Sequence, residues 1–186
     1  MPTAMRRVAF VDRDGVINTD LWKYVEHWGE FTFEKSAVKA LRTLTENDFD
    51  IFIISNQAGV GDGIFTAEQL WDVHEKMLKH LDAEGVRIKG SQYCLHSKKT
   101  VCDCRKPKTG LLEKAVEGIR FDKSRTFFVG DKLSDIEAGK NFKVRTILVR
   151  TGYGRDAEAQ LSEKLQPEHI VDDLGTAVPI ILSAQQ

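Results

Sequence analysis

At 186 residues, with 41% hydrophobic and 30% charged residues, the chain has the size and balance of one compact domain that buries its core without disulfides. A formal net charge of -1 removes bulk attraction to nucleic acid or to an anionic membrane, and the longest apolar runs, such as Ile51 to Ile54, are far too short to cross a bilayer. Met1 to Arg7 carry no apolar leader-type stretch, so a cytoplasmic location is the expectation.

Val8 to Val11 reads as the first strand, and it delivers Asp12-Arg-Asp14-Gly15-Val-Ile-Asn18 at its end. Two carboxylates so spaced can enter one site if the backbone turns at Gly15; one can then attack phosphorus while the other serves as acid and base. An ordinary surface turn has the same Asp/Gly composition. Trp22, Tyr24 and Trp28 follow, and aromatics in such a stretch either shield a site as a small flap or, more often, pack. Val38, Leu41 and Leu44 have helical spacing. Asp50 to Ile54 reads as the second strand, running into Ser55-Asn-Gln-Ala-Gly59, whose hydroxyl, amide and backbone N–H groups can hold phosphate oxygens. Thr66 and Gln69 suit the reciprocal cap of a helix carrying Leu70, Val73, Met77 and Leu81, with Gly85 as its stop.

Ser91 to Leu95, the third expected strand, enters a loop that holds all three cysteines: Cys94, Cys102 and Cys104, together with His96. Three thiolates and an imidazole are the ligand set of a closed, tetrahedral structural zinc site; the plain alternative is three reduced thiols beside an incidental histidine. Four protein ligands leave no open position, so the metal's part is architectural. Arg105, Lys106 and Pro107 come next. An ammonium there neutralises charge building on a phosphoryl group and the guanidinium grips a second anion, unless the pair is merely a solvated basic loop. Leu112, Ala115, Val116 and Ile119 read as a helix. Thr126 to Val129, the fourth strand, ends at Asp131, which can complete an oxygen-rich Mg²⁺ site with Asp12 and the backbone carbonyl of Asp14; Ser134 and Asp135 suit the cap of the next helix. Thr146 to Val149 and His169 to Val171 are the last strands, and Leu174 to Leu182 the last helix.

Strand and helix alternate, which predicts an α/β fold: a doubly wound, Rossmann-like parallel sheet with helices on both faces, no cap domain, and one domain over 1–186 with the zinc loop 94–104 inserted. Ligands of such sheets bind beyond the carboxyl ends of the strands, where all four polar loops lie.

In that order the loops resemble the four motifs of the haloacid dehalogenase superfamily of phosphotransferases. The resemblance implies Asp12 as nucleophile, Asp14 as general acid and base, Ser55 and Lys106 as phosphoryl stabilisers, and Asp131 as the magnesium carboxylate beside Asp12 and Asp14. Asp-Arg-Asp-Gly-Val-Ile-Asn, Cys-x-Cys-Arg-Lys-Pro and Val-Gly-Asp-Lys-Leu-Ser-Asp look like the heptose-1,7-bisphosphate 7-phosphatases, with histidinol-phosphate phosphatases as the close alternative. By this likeness Arg105 recognises substrate, Arg13 contacts it, and Asn56, Gln57, Ala58 and Lys132 line the pocket. The second loop departs from the group by placing Asp62 near the pocket mouth. The implied cofactors are catalytic Mg²⁺ and structural Zn²⁺. The implied partner is a small phosphorylated substrate, a sugar bisphosphate, bound by a monomer without nucleic acid or membrane. Further readings are a polynucleotide 3'-phosphatase, against which the absent basic surface speaks, and a non-catalytic zinc-stabilised phosphate-binding module.

Overall fold

A computed structural model describes residues 5–185, so the leader reading at the N-terminus and the outermost ends of the 1–186 span lie outside the described residues. Six strands form one parallel sheet in the order β3-β2-β1-β4-β5-β6: β1 (Arg7–Val11), β2 (Phe49–Asn56), β3 (Ile88–Cys94), β4 (Phe127–Gly130), β5 (Arg145–Val149) and β6 (His169–Val171). Each strand lies where an apolar run predicts it, with ends shifted by up to three residues. The sheet is buried on both faces, as the continuous apolar runs require. In β1, Val8 and Phe10 point to one face and Ala9 and Val11 to the other.

Among the described residues seven α-helices accompany the sheet: α1 (Ala37–Glu46), α2 (Ala58–Gly61), α3 (Ala67–Ala83), α4 (Gly110–Ala115), α5 (Leu133–Phe142), α6 (Gly154–Ala159) and α7 (Leu174–Ser183). Leu41 and Leu44 of α1, Val73, Met77 and Leu81 of α3, and Ala177 and Ile181 of α7 pack with Val11, Ile51 and Val129. On the opposite face Leu112 of α4 and Phe142 of α5 close over Phe10, Phe52 and Phe128. Thr66 and Gln69 make the capping box of α3, and Gly85, at φ +76°, turns the chain out of it. The helix expected to run to Ile119 is shorter: α4 ends at Ala115.

The strand order reverses direction between β1 and β4, which is the topological switch point of the sheet. Asp12 follows β1 and Asp131 follows β4, and Val11 pairs with Val129, so the register sets these two acids side by side.

Candidate active site

Asp12, Asp131 and Asp135 bring one carboxylate oxygen each within 4.8 Å of the others, all three buried. The close approach depends on glycine. A Cβ at Gly15 (φ +81°) or at Gly152 (φ +52°) would fall onto the Asp131 carboxylate. The acids are held by cations: Lys106 Nζ lies 3.1 Å from Asp12 Oδ1 and 2.6 Å from Asp135 Oδ1, and donates to the Ile54 carbonyl at 2.7 Å. Lys132 Nζ reaches Asp131 at 3.4 Å and Asp20 at 3.0 Å.

Burial pushes the Asp12 and Asp131 carboxyls above their ordinary range, against the pull of the lysines and, for Asp131, of the Tyr153 backbone N–H. Burial also disfavours the Lys106 ammonium, but Asp12 and Asp135 outweigh it and leave the lysine more basic than usual. Three carboxylates against two ammonium groups leave an excess of negative charge in a dry place. A set of buried carboxylate oxygens is the donor chemistry of a hard divalent cation, so Mg²⁺ fits.

Asp14 was expected to offer a metal its backbone carbonyl; among the described residues the side-chain carboxylate that converges with Asp12 and Asp131 is that of Asp135. The Asp14 side chain is held aside: Arg13 Nη2 donates to its Oδ1 at 2.9 Å, Asn18 Nδ2 to the same oxygen at 3.0 Å, and Gln57 Nε2 to Oδ2 at 2.7 Å. Burial works to raise the Asp14 carboxyl, but the Arg13 charge and these donors hold it below its usual range. Arg13 and Gln57 were expected against substrate. Both side chains are wholly buried beneath the cleft, Arg13 beside the Tyr93 ring and Gln57 donating also to Ser55 Oγ at 3.0 Å. Both donate to the Asp14 carboxylate.

The cleft above these residues has a volume of about 310 Å³. Asp12, Asp14, Ser55, Asn56, Ala58, Arg105, Lys106 and Lys132 line it, together with Asp20, Trp22, Tyr24, Lys98 and Tyr153. Asn56 also braces Lys106, accepting from its backbone N–H and donating to its carbonyl, each at 3.1 Å. Sequence reasoning missed Asp135 as a site acid because its capping role is equally real: Oδ2 accepts from the Lys132 backbone N–H at 3.0 Å while Oδ1 faces Lys106. Its position one helical turn beyond Asp131 is the signal that could have found it.

Cys94, His96, Cys102 and Cys104 form a second cluster beside the cleft. The sulfur of Cys94 lies 3.8 Å from that of Cys102 and 3.2 Å from that of Cys104, and His96 Nδ1 lies 3.6 Å and 3.2 Å from Cys94 and Cys104. Zinc–sulfur bonds of about 2.3 Å put tetrahedral ligands about 3.8 Å apart, so the four groups are gathered as closely as a zinc cage needs, two of the pairs lying tighter at 3.2 Å. Arg105 Nη2 donates to the carbonyls of His96 and Ser97 at 2.5 and 2.6 Å, tying the cage to the cleft wall. Asp62 closes the same loop from α2, accepting from Ser97 Oγ at 2.5 Å and from the Lys98 backbone N–H at 3.1 Å.

Comparison with known proteins agrees in sequence and in shape. A HAD-hydrolase-like family model matches residues 103–177. The D-glycero-D-manno-heptose-1,7-bisphosphate 7-phosphatase of Chlorobaculum tepidum is 35% identical over 184 residues, covering 92% of each chain. The D-glycero-beta-D-manno-heptose-1,7-bisphosphate 7-phosphatase of Haemophilus influenzae is 36% identical over 155 residues, 80% of this chain and 84% of that one. Among solved structures, the D,D-heptose 1,7-bisphosphate phosphatase of B. bronchiseptica, complexed with magnesium and phosphate, superposes with a TM-score of 0.89 at 29% identity, covering 95% of this chain and 98% of that chain.

Proposed function

The chain belongs to the family of D-glycero-D-manno-heptose-1,7-bisphosphate 7-phosphatases, phosphatases of the haloacid dehalogenase type, and from that membership we propose that it hydrolyses the 7-phosphate of a heptose 1,7-bisphosphate by way of a phosphoryl group carried on Asp12. The observation that carries the mechanism is the buried convergence of Asp12, Asp131 and Asp135 around Lys106 at the sheet's switch point.

Asp12 Oδ1 accepts from the Arg13 backbone N–H at 2.7 Å and faces Lys106, which leaves Oδ2 to attack. That oxygen bonds to phosphorus as the bond from phosphorus to the sugar oxygen breaks; Asp14, a carboxylate in the free protein, takes up a proton when the negative phosphate arrives beside it and gives that proton to the leaving oxygen. In the second half Asp14, now a carboxylate of the kind that Arg13, Asn18 and Gln57 favour, takes a proton from water as the water oxygen attacks phosphorus. The bond from phosphorus to Asp12 then breaks, and the nucleophile returns. Ser55 and Lys106 hold the non-bridging oxygens, and Asn56 keeps Lys106 in reach.

Asp12, Asp131 and Asp135, with the backbone carbonyl of Asp14 that the motif implies, would hold Mg²⁺, which when bound neutralises the acids and draws charge from the phosphoryl oxygens. Cys94, His96, Cys102 and Cys104 would hold Zn²⁺ in a loop, 94–104, inserted in one phosphatase domain. Bound there, it would fix the loop that carries Lys98 and Arg105, the cations of the cleft that suit the second phosphate. The thiolate set needs a reducing compartment, in keeping with the cytoplasm, and one chain supplies the whole cleft, in keeping with a monomer.

The test is purified protein with Mg²⁺, given heptose 1,7-bisphosphate and histidinol phosphate in parallel, with phosphate release measured. Turnover several orders of magnitude faster on the heptose bisphosphate is expected. Preference for histidinol phosphate would move the chain to the other branch of the group.

A further inference from the structure

The three aromatics that follow β1 part ways. Trp28 stacks on Phe31 with ring centroids 5.0 Å apart, and Tyr24 packs on Phe65 at 5.4 Å, which is ordinary packing. Trp22 is different: its indole lines the cleft and is 60% exposed. Its backbone lies at φ +61°, a left-handed conformation that bulky side chains rarely adopt and that glycine would take without strain. A strained residue with an exposed ring is not there to fill a core.

What holds it leads back to the chemistry. The Trp22 backbone N–H donates to Asp20 Oδ1 at 2.7 Å, and Asp20 Oδ2 pairs at 3.0 Å with Lys132, the neighbour of Asp131. Lys132 Nζ also sits 4.7 Å from the centre of the Tyr153 ring, and that ring meets the indole edge-to-face at 4.3 Å between centroids. The Tyr153 backbone N–H in turn donates to Asp131 Oδ2 at 2.9 Å. The indole is therefore fixed, through two routes, to the acid at the centre of the site.

We propose that Trp22, backed by Tyr153, is a specificity-determining wall of the cleft that receives the C–H face of the substrate's sugar ring while the transferred phosphate lies at Asp12. The inference rests on the sugar-phosphate reading of the preceding section and assigns the part of the substrate between its two phosphates. A sugar ring carries hydroxyls on its rim and aliphatic hydrogens on its faces. An indole offers a broad apolar plate whose face is electron-rich, which suits those hydrogens. Lys98 and Arg105, also in the lining of the cleft, are cationic and suit an anion instead. The lining thus offers an apolar plate as well as groups for a second phosphate.

The experiment compares wild type, Trp22→Gly and Trp22→Phe with Mg²⁺ on heptose 1,7-bisphosphate and on acetyl phosphate, a phosphoryl donor without a ring. Trp22→Gly is expected to raise KM for the heptose bisphosphate about tenfold, with kcat within about twofold. It should leave KM for acetyl phosphate unchanged and Tm no lower than wild type, because glycine accepts the backbone. Trp22→Phe should recover most of the lost KM. An unchanged KM for the sugar substrate in Trp22→Gly, or an equal rise for acetyl phosphate, would overturn the inference while leaving the phosphatase reading intact. Wild type unable to turn over the heptose bisphosphate would overturn the substrate reading and this wall with it.

Discussion

Burying Lys106 between Asp12 and Asp135 makes each of the three depend on the others. Lys106→Met would leave two carboxylates in a dry place without their counter-ion, and breaking a buried pair from one side costs about 3–5 kcal/mol. Denaturant unfolding without added divalent cation should register that loss; a change under about 1 kcal/mol, the size of a surface pair, would mean that the acids are neutralised in another way. Arg13 and Asp135 were the residues whose parts could not be read from the motif. A charged residue between two aspartates reads as solvent-facing. Only the tight turn, in which the Ile17 and Asn18 backbone N–H groups donate to the Arg13 carbonyl at 2.8 and 3.1 Å, directs the chain so that the guanidinium ends beneath the site. Asp135 looked like a cap and is one; that its second oxygen meets a lysine 29 positions back in the chain is a fact of the sheet, not of the helix.

At the scale of elements, the strands were legible because each is an unbroken apolar run, and α3 because its period, its capping box and its glycine stop agree. The helices α2 and α6 were not, since α2 has only four residues and α6 buries only Gly154 and Ala157, which leaves no large apolar side chains to display a period. The last helix offers a test of its start. Asp173 caps α7, its Oδ1 accepting from the Thr176 backbone N–H at 2.8 Å. Burial pushes the Asp173 carboxyl up, but the Thr176 and Gly175 donors outweigh it and hold the group below its usual range. A carboxyl depressed in the folded state stabilises above its unfolded value of about 3.9, and that contribution fades as pH falls through the folded value. Asp173→Ala should therefore cost about 1 kcal/mol at neutral pH, with the gap to wild type closing below about pH 4. A gap in Tm that stays constant from pH 7 to pH 3 would count against the charged cap.

For the whole molecule, a sheet whose order reverses between β1 and β4 gathers residues from positions 12, 55, 106 and 131 at one edge, and the proposed zinc cage of Cys94, His96, Cys102 and Cys104 begins at the end of β3 beside it. The chain as purified should hold one zinc per molecule. Stripping it with a strong chelator should lower Tm by about 10 °C, given about 2–4 °C per kcal/mol for a chain of this size and a few kcal/mol from the cage. A protein free of zinc with an unaltered Tm would remove the cage from the account.

The central claim is that Asp12 carries the phosphoryl group, and it is tested most directly by the release of the 7-phosphate from heptose 1,7-bisphosphate by Asp12→Asn in the presence of Mg²⁺, with Tm measured on the same sample. The account predicts a fall in rate of at least about 1,000-fold in a variant that still unfolds cooperatively near the wild-type temperature. A folded Asp12→Asn protein that keeps more than about a tenth of the wild-type rate would contradict it.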